Sequence, residues 1–118
     1  MAVAANFYNP FKEIAGKFEK ISGHKVIIIS GSTGKLYAQI INGAPFELFL
    51  AADGRRPRLL EQEGKTVLGT RFTYALGKIT LWSPNPKAIS EDGKLTLRKK
   101  EFAHIAMANP ITAPYGKA

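Results

Sequence analysis

A chain of 118 residues with 45% hydrophobic and 22% charged content has the composition of one globular domain with a modest core, not of a disordered segment. Zero cysteines exclude disulfides, thiol nucleophiles and thiolate metal sites, and no apolar run approaches the ~20 residues that cross a bilayer. The formal charge of +8 favours anionic partners such as nucleic acid, a membrane surface or a small oxyanion, and bears on association rather than on fold.

Residues 3–5 read as a short apolar strand. Asn9 before Pro10 is a helix-start signal, and Phe11, Ile14, Ala15, Phe18 and Ile21 then recur at helical spacing, with Lys12, Glu13, Lys17, Glu19 and Lys20 on the other face. Gly23 ends this helix. Residues 26–29 are continuously β-branched, the pattern of a strand covered on both faces in a parallel sheet. A turn, "GSTG" at 31–34, leads into a second helix marked by Leu36, Tyr37, Ile40 and Ile41 and closed by Asn42 and Gly43. Residues 46–51 ("FELFLA") form a third strand, and this order of elements predicts a mainly parallel α/β sheet.

Residues 53–58 ("DGRRPR") read as a loop and 57–63 as a short helix with Leu59 and Leu60 inward. Residues 70–82 look like one or two strands interrupted at Gly77. Residues 83–93 ("SPNPKAISEDG") are the clearest linker. Residues 103–108 are expected as a strand, and 109–116 ("NPITAPYG") as a loop opening a helix. Strand, loop and helix start do not close a unit, so the section after the linker reads as the beginning of a second lobe.

The chemistry-bearing residues narrow the field. "GSTGK" is not a nucleotide-binding loop: Ile29 stands where the first glycine belongs, and Leu36 where a magnesium-binding hydroxyl belongs. The same turn at a helix start can instead hold a small oxyanion, because the first N–H groups of a helix have no internal acceptor and carry partial positive charge. It can equally be a simple helix cap. His24 and His104 have no carboxylate at metal-ligand spacing, and no nucleophile and base pair up, so neither a catalytic residue nor a directly coordinated metal is expected. Asp53 is the best-placed carboxylate, read as a loop cap. Arg55, Arg56, Arg58 and residues 98–100 are basic, but the aromatic residues fall in core-like runs, which argues against nucleic acid.

Three stretches, "GSTGKLYAQIINGAPFELFLAAD" (31–53), "RFTYALGKITLWS" (71–83) and "HIAMANPITAPYG" (104–116), preceded by "AANF" and "GHKV", closely resemble the periplasmic molybdate-binding proteins of molybdate ABC transporters. The similarity runs over essentially the whole chain. It implies a type II periplasmic binding protein-like α/β fold of two lobes, with an oxyanion held in the cleft by neutral donors. The expected ligands are Asn6 after the first strand, Ser32 in the GSTG turn and the Tyr115 backbone N–H, with Thr33 a weaker neighbour. Ala5 stands where some relatives have a hydroxyl.

The resemblance assigns residues 1–82 to a first lobe that lacks its C-terminal return, and 83–118 to a linker and the start of the second lobe. The implied function is capture of molybdate or tungstate as ligand, without a cofactor and without enzymatic turnover, for delivery to a membrane permease. The implied location is periplasmic, although "MAVAANF" has no signal-peptide character. The alternative is a fragment that binds no ligand alone and self-associates through open strand edges, notably at residues 103–108.

Overall fold

Three consecutive residues with almost no exposed surface, Ala2, Val3 and Ala4, form the strand β1 (Ala2–Ala4) around which the molecule is organised. The computed structural model describes residues 1–99 and 102–117. β1 pairs in parallel with β2 (Ile29–Gly31) on one side and with β3 (Phe49–Leu50) on the other, giving the order β2-β1-β3. The register sets Ala4 opposite Gly31 and Val3 opposite Leu50.

Because side chains alternate across a strand, Val3 faces one side of the sheet and Ala2 and Ala4 the other. Val3 packs with Phe11 and Ala15 of helix α1 (Tyr8–Ser22), joined by Phe7, Val26, Ile28 and Leu50. Helix α2 (Thr33–Ile41) also packs on β1 and buries Leu36. Helix α3 (Arg55–Gln62) lies against α2 and buries Leu60 completely.

The strands and helices expected up to residue 63 hold in type, with several corrections. α1 starts at Tyr8, ahead of the predicted Asn9 and Pro10 signal, because a 3-10 turn (Ala5–Phe7) runs straight into it and supplies the first acceptor, Ala5 O. Its end is as expected: Gly23 has φ 74° and donates its N–H to Glu19 O at 2.9 Å. The α1 stripe is only half used. Phe11 and Ala15 are buried, whereas Ile14, Phe18 and Ile21 form an adjoining row that is exposed, since a sheet of such short strands covers only part of the stripe.

The run at 26–29 is not covered on both faces. Val26 and Ile28 pack inward while Ile27 and Ile29 are exposed, and the ladder covers only Ile29–Gly31. Among the described residues β2 pairs on one side alone, so its other edge and one of its faces stay open. Residues 26–28 are held otherwise: the Glu19 carboxylate accepts the Val26 N–H at 2.7 Å, and the Met1 ammonium donates to Ile27 O at 2.7 Å. β3 is shorter than residues 46–51, and α3 begins at Arg55, so the arginines expected in a loop are helical.

No strand forms at residues 70–82 or 103–108 among the described residues. An extended run becomes a strand only when a second strand takes up its N–H and C=O groups, and no described segment does so. The strand edge expected at 103–108 is therefore absent. Residues 64–75 are tied down by side chains instead. Glu61 accepts the Gly69 N–H and the Arg71 guanidinium, and the arginine first, then the amide, hold its carboxyl below the usual carboxylate range.

The chain divides into two compact units, Met1–Ala75 with Ala108–Ala118, and Leu76–Met107. In the second, a helix α4 (Gly93–Lys99) follows the loop expected as linker. The segment "SEDG" holds its start: Asp92 Oδ1 accepts the Lys94 N–H at 2.8 Å and Ser90 bonds Thr96 at 2.9 Å. A final turn, α5 (Pro114–Lys117), begins with proline in the first helical position, as residues 109–116 predict. The predicted basic position Lys100 lies outside the described residues.

Two glycines, one inside α1 and one just past its end, respond to substitution in opposite directions. Gly16 lies inside the helix with open space where a Cβ would stand, so Gly16→Ala is expected to stabilise by about 0.5–1 kcal/mol. Gly23 needs a left-handed backbone, so Gly23→Ala is expected to destabilise by about 1 kcal/mol. Urea midpoints at constant slope measure both.

Candidate functional site

In a parallel sheet the chain leaves every strand at the same edge, and ligands of open α/β sheets bind in the crevice beyond the carboxyl ends of the strands. Here that edge carries Asn6 after β1, Ser32 after β2 and Asp53 after β3. Since Ala4 is opposite Gly31, the residues that follow them, Ala5 and Ser32, leave the sheet side by side, at the ~4.8 Å spacing of paired strands.

Ser32 is the N-cap of α2. Its Oγ accepts the Lys35 N–H at 3.4 Å, which leaves the hydroxyl proton free to donate. The N–H of Thr33 belongs to the first turn, where helix geometry supplies no acceptor. The Thr33 side chain serves the fold instead. It is buried, and its hydroxyl accepts the Ala52 N–H at 3.0 Å, joining the start of α2 to the end of β3. Of the residues singled out from sequence, Thr33 is thus engaged inward.

Asn6 and Tyr115, 109 positions apart, meet directly: Asn6 Nδ2 donates to the Tyr115 hydroxyl at 3.3 Å. Tyr115 lies in the first turn of α5, so its N–H too has no helical acceptor. The loop carrying it is braced from within. Asn109 Oδ1 accepts the Ile111 N–H at 2.8 Å, Asn109 O accepts the Ala113 N–H at 2.8 Å, and the Gly116 backbone passes so close to Ala108 O that no Cβ fits there.

Further residues complete this edge, Tyr74 among them without a sequence signal to single it out. The Tyr74 hydroxyl donates to Ala51 O at 2.7 Å, and its ring lies 4.7 Å from that of Phe7. Partial burial, and secondarily the nearby charge of an ionised Tyr115, push the Tyr74 hydroxyl above the usual tyrosine range. Asp53 caps α3 as expected, accepting the Arg56 N–H at 2.8 Å, and also pairs with the Arg56 guanidinium at 2.6 Å. A hollow of about 280 Å³ lies between Gly34, Tyr37, Arg56, Leu59, Ile111 and Thr112. Another, of about 390 Å³, lies at the opposite, amino-terminal edge of the sheet near Met1, Val26 and Phe46. Asn6, Ser32 and Tyr115 line neither.

Raising the folded-state pKa of Tyr74 stabilises the fold fully below the ordinary tyrosine value of about 10, and that contribution is lost as pH rises through the folded value. Ultraviolet titration, with Tyr74→Phe subtracted, is expected to show a phenol ionising above pH 10, and Tyr115→Phe to bring it back towards 10.

Comparison with known proteins agrees with this architecture. The model for the family of bacterial extracellular solute-binding proteins matches residues 1–118. The chain is 58% identical over 118 residues to the molybdate-binding protein ModA of Azotobacter vinelandii, covering all of this chain and 46% of the relative. It is 47% identical over 117 residues to ModA of Rhodobacter capsulatus, covering 99% and 46% respectively. Among solved structures, the periplasmic molybdate-binding protein of Azotobacter vinelandii matches with a TM-score of 0.89 and 47% identity, over 99% of this chain and 51% of that one. The chain spans about half the length of these relatives. The parallel sheet flanked by helices is that of a periplasmic binding protein, as the sequence predicts. By a match that runs its full length, the chain belongs to the bacterial extracellular solute-binding protein family.

Proposed function

We propose that this chain is the oxyanion-capturing portion of a molybdate receptor, with tungstate as a second ligand, serving delivery to an ABC-transporter permease in the periplasm. The observation that carries the reading is the meeting of Asn6 with Tyr115 beside the Ser32 cap, at the carboxyl edge of the sheet, in a chain 58% identical to a molybdate-binding protein. Asn6 contributes its side-chain amide, Ser32 its hydroxyl and Tyr115 its N–H, with the Thr33 N–H beside Ser32. In this reading residues 1–82 are a first lobe and 83–118 a linker and the start of a second.

All of these donors are uncharged. A doubly charged tetrahedral anion leaving water needs several N–H and O–H groups aimed at its oxygens, and fixed dipoles supply them without burying a mobile counter-charge at its own desolvation cost. Selection against sulfate follows from size: the longer metal–oxygen bonds of molybdate and tungstate need a wider cage, and a rigid donor set does not contract onto a smaller ion. The chain's net charge of +8 assists approach of the anion, less so as salt rises. Molybdate is cargo here, and the chain is a binding unit rather than an enzyme.

A ligand that binds only the folded form stabilises it by about 2.7 kcal/mol at a hundred times Kd. Molybdate and tungstate are therefore expected to raise the melting temperature in a concentration-dependent way, with sulfate far weaker. Asn6→Ala and Ser32→Ala should each shift that response to at least ~10-fold higher concentration, the effect of losing one hydrogen bond to a charged group. A flat melting curve with millimolar molybdate would show that this chain does not bind it.

A second reading rests on the outer edges of β2 and β3, which pair with no strand among the described residues. Under it the chain self-associates through these edges. Solution mass decides: a strict monomer excludes it.

A further inference from the structure

Among the described residues, three contacts hold the loop that carries Tyr115 to the helix starts and the 3-10 turn, and only one of them involves a residue of the proposed oxyanion set. The Gly34 N–H, in the first turn of α2, donates to Thr112 O at 3.0 Å. The Arg56 Nη2 reaches Ile111 O at 3.4 Å while its Nη1 is paired with Asp53 at 2.6 Å. The third is Asn6 to Tyr115. The Arg56 and Asp53 side chains are only 22% and 19% exposed, and Asp53 also accepts the Arg56 backbone N–H, so one carboxylate holds both the backbone and the guanidinium of Arg56. The fit at Gly34 is close: a Cβ there would stand 3.0 Å from Thr112 O, 3.2 Å from Thr112 Cα and 3.1 Å from Arg56 Nη2.

We propose that Arg56, clamped by Asp53, is a positioning residue that straps residues 109–117 across the starts of α2 and α3 and thereby sets Tyr115 against Asn6. Its charge is matched by Asp53, so it steers the loop without competing as an anion ligand. The planar fork of arginine is what allows one side chain to serve a carboxylate and a carbonyl together, and lysine has no such fork. The absence of a side chain at Gly34 is complementary, because a Cβ there would press the loop backbone and the Arg56 guanidinium away by a few tenths of an ångström. The part of this inference that concerns anion affinity rests on the molybdate reading; the strap itself does not.

Hydrogen exchange by NMR on the 118-residue chain tests the strap without ligand. The Gly34 amide has Thr112 O as its acceptor and no helical one, so its protection reports the docked loop directly. Arg56→Gln is expected to speed exchange at Gly34 and across 109–117 by about tenfold, the scale of one lost charge-assisted hydrogen bond. Amides of β1 should be unchanged. Arg56→Lys should recover only part of the protection. Gly34→Ala should free the same loop while leaving α2 intact, since alanine favours the helix itself. Unchanged exchange in 109–117 for both Arg56→Gln and Gly34→Ala overturns the proposal. Molybdate titration of the wild-type chain and Arg56→Gln then separates the two readings. About tenfold weaker binding at unchanged melting temperature of the free protein supports positioning, and equal affinities for the two chains overturn it. Loss of loop protection in Arg56→Gln, together with a wild-type chain that binds no molybdate, supports the strap and refutes the molybdate reading.

Discussion

Everything described at the carboxyl edge depends on β1 being paired in parallel on both sides. Its three residues are buried to within about one per cent, and its ladder partners, Ile29–Gly31 and Phe49–Leu50, lie far apart in sequence. Parallel pairing obliges each strand to be followed by a return path over a face of the sheet, which α1 and α2 provide. It also obliges the three exits to lie at one edge. Alanine at positions 2 and 4 contributes little bulk, and larger side chains such as Leu36 and Leu60 supply much of the fully buried volume.

The exits are then specialised by local chemistry. Ser32 caps a helix and keeps a proton to donate; Asp53 caps another and holds Arg56; the 3-10 turn after β1 presents Asn6. Thr33 illustrates why residue type alone does not assign a role. Its hydroxyl looks as suitable for an anion as that of Ser32, yet one position further on it is buried and satisfies the Ala52 N–H. A buried N–H left without an acceptor would cost about 1–3 kcal/mol, so the pairing with β3 takes precedence over ligand contact.

The basic residues take a place unlike the one their composition suggests. Arg55, Arg56 and Arg58 stand on a helix, and Arg56 is neutralised by Asp53 and turned towards the Ile111 carbonyl. Positive charge here braces the edge while neutral groups are presented beyond it. Under the proposed molybdate reading, that division agrees with the cost of desolvating charged donors in a closed anion site.

Reading along the chain was enough to find the three main helices, the C-terminal ends of α1 and α2 and the parallel α/β character. Those features arise from local periodicity, capping and glycine conformation, all of which act within a few residues. The rest required the folded molecule. Residues 26–29 proved half exposed, 70–82 and 103–108 did not become strands, and α4 formed just past the stretch read as linker, where no element was expected. The inward turn of Thr33, the seat of Tyr74 against Phe7 and the clamp of Arg56 on the 109–117 loop were likewise invisible in the chain order, and the bond from Asn6 to Tyr115 joins two residues that only the family resemblance had grouped. Strand formation and side-chain pairing between distant positions depend on what lies opposite, and no local preference encodes the partner.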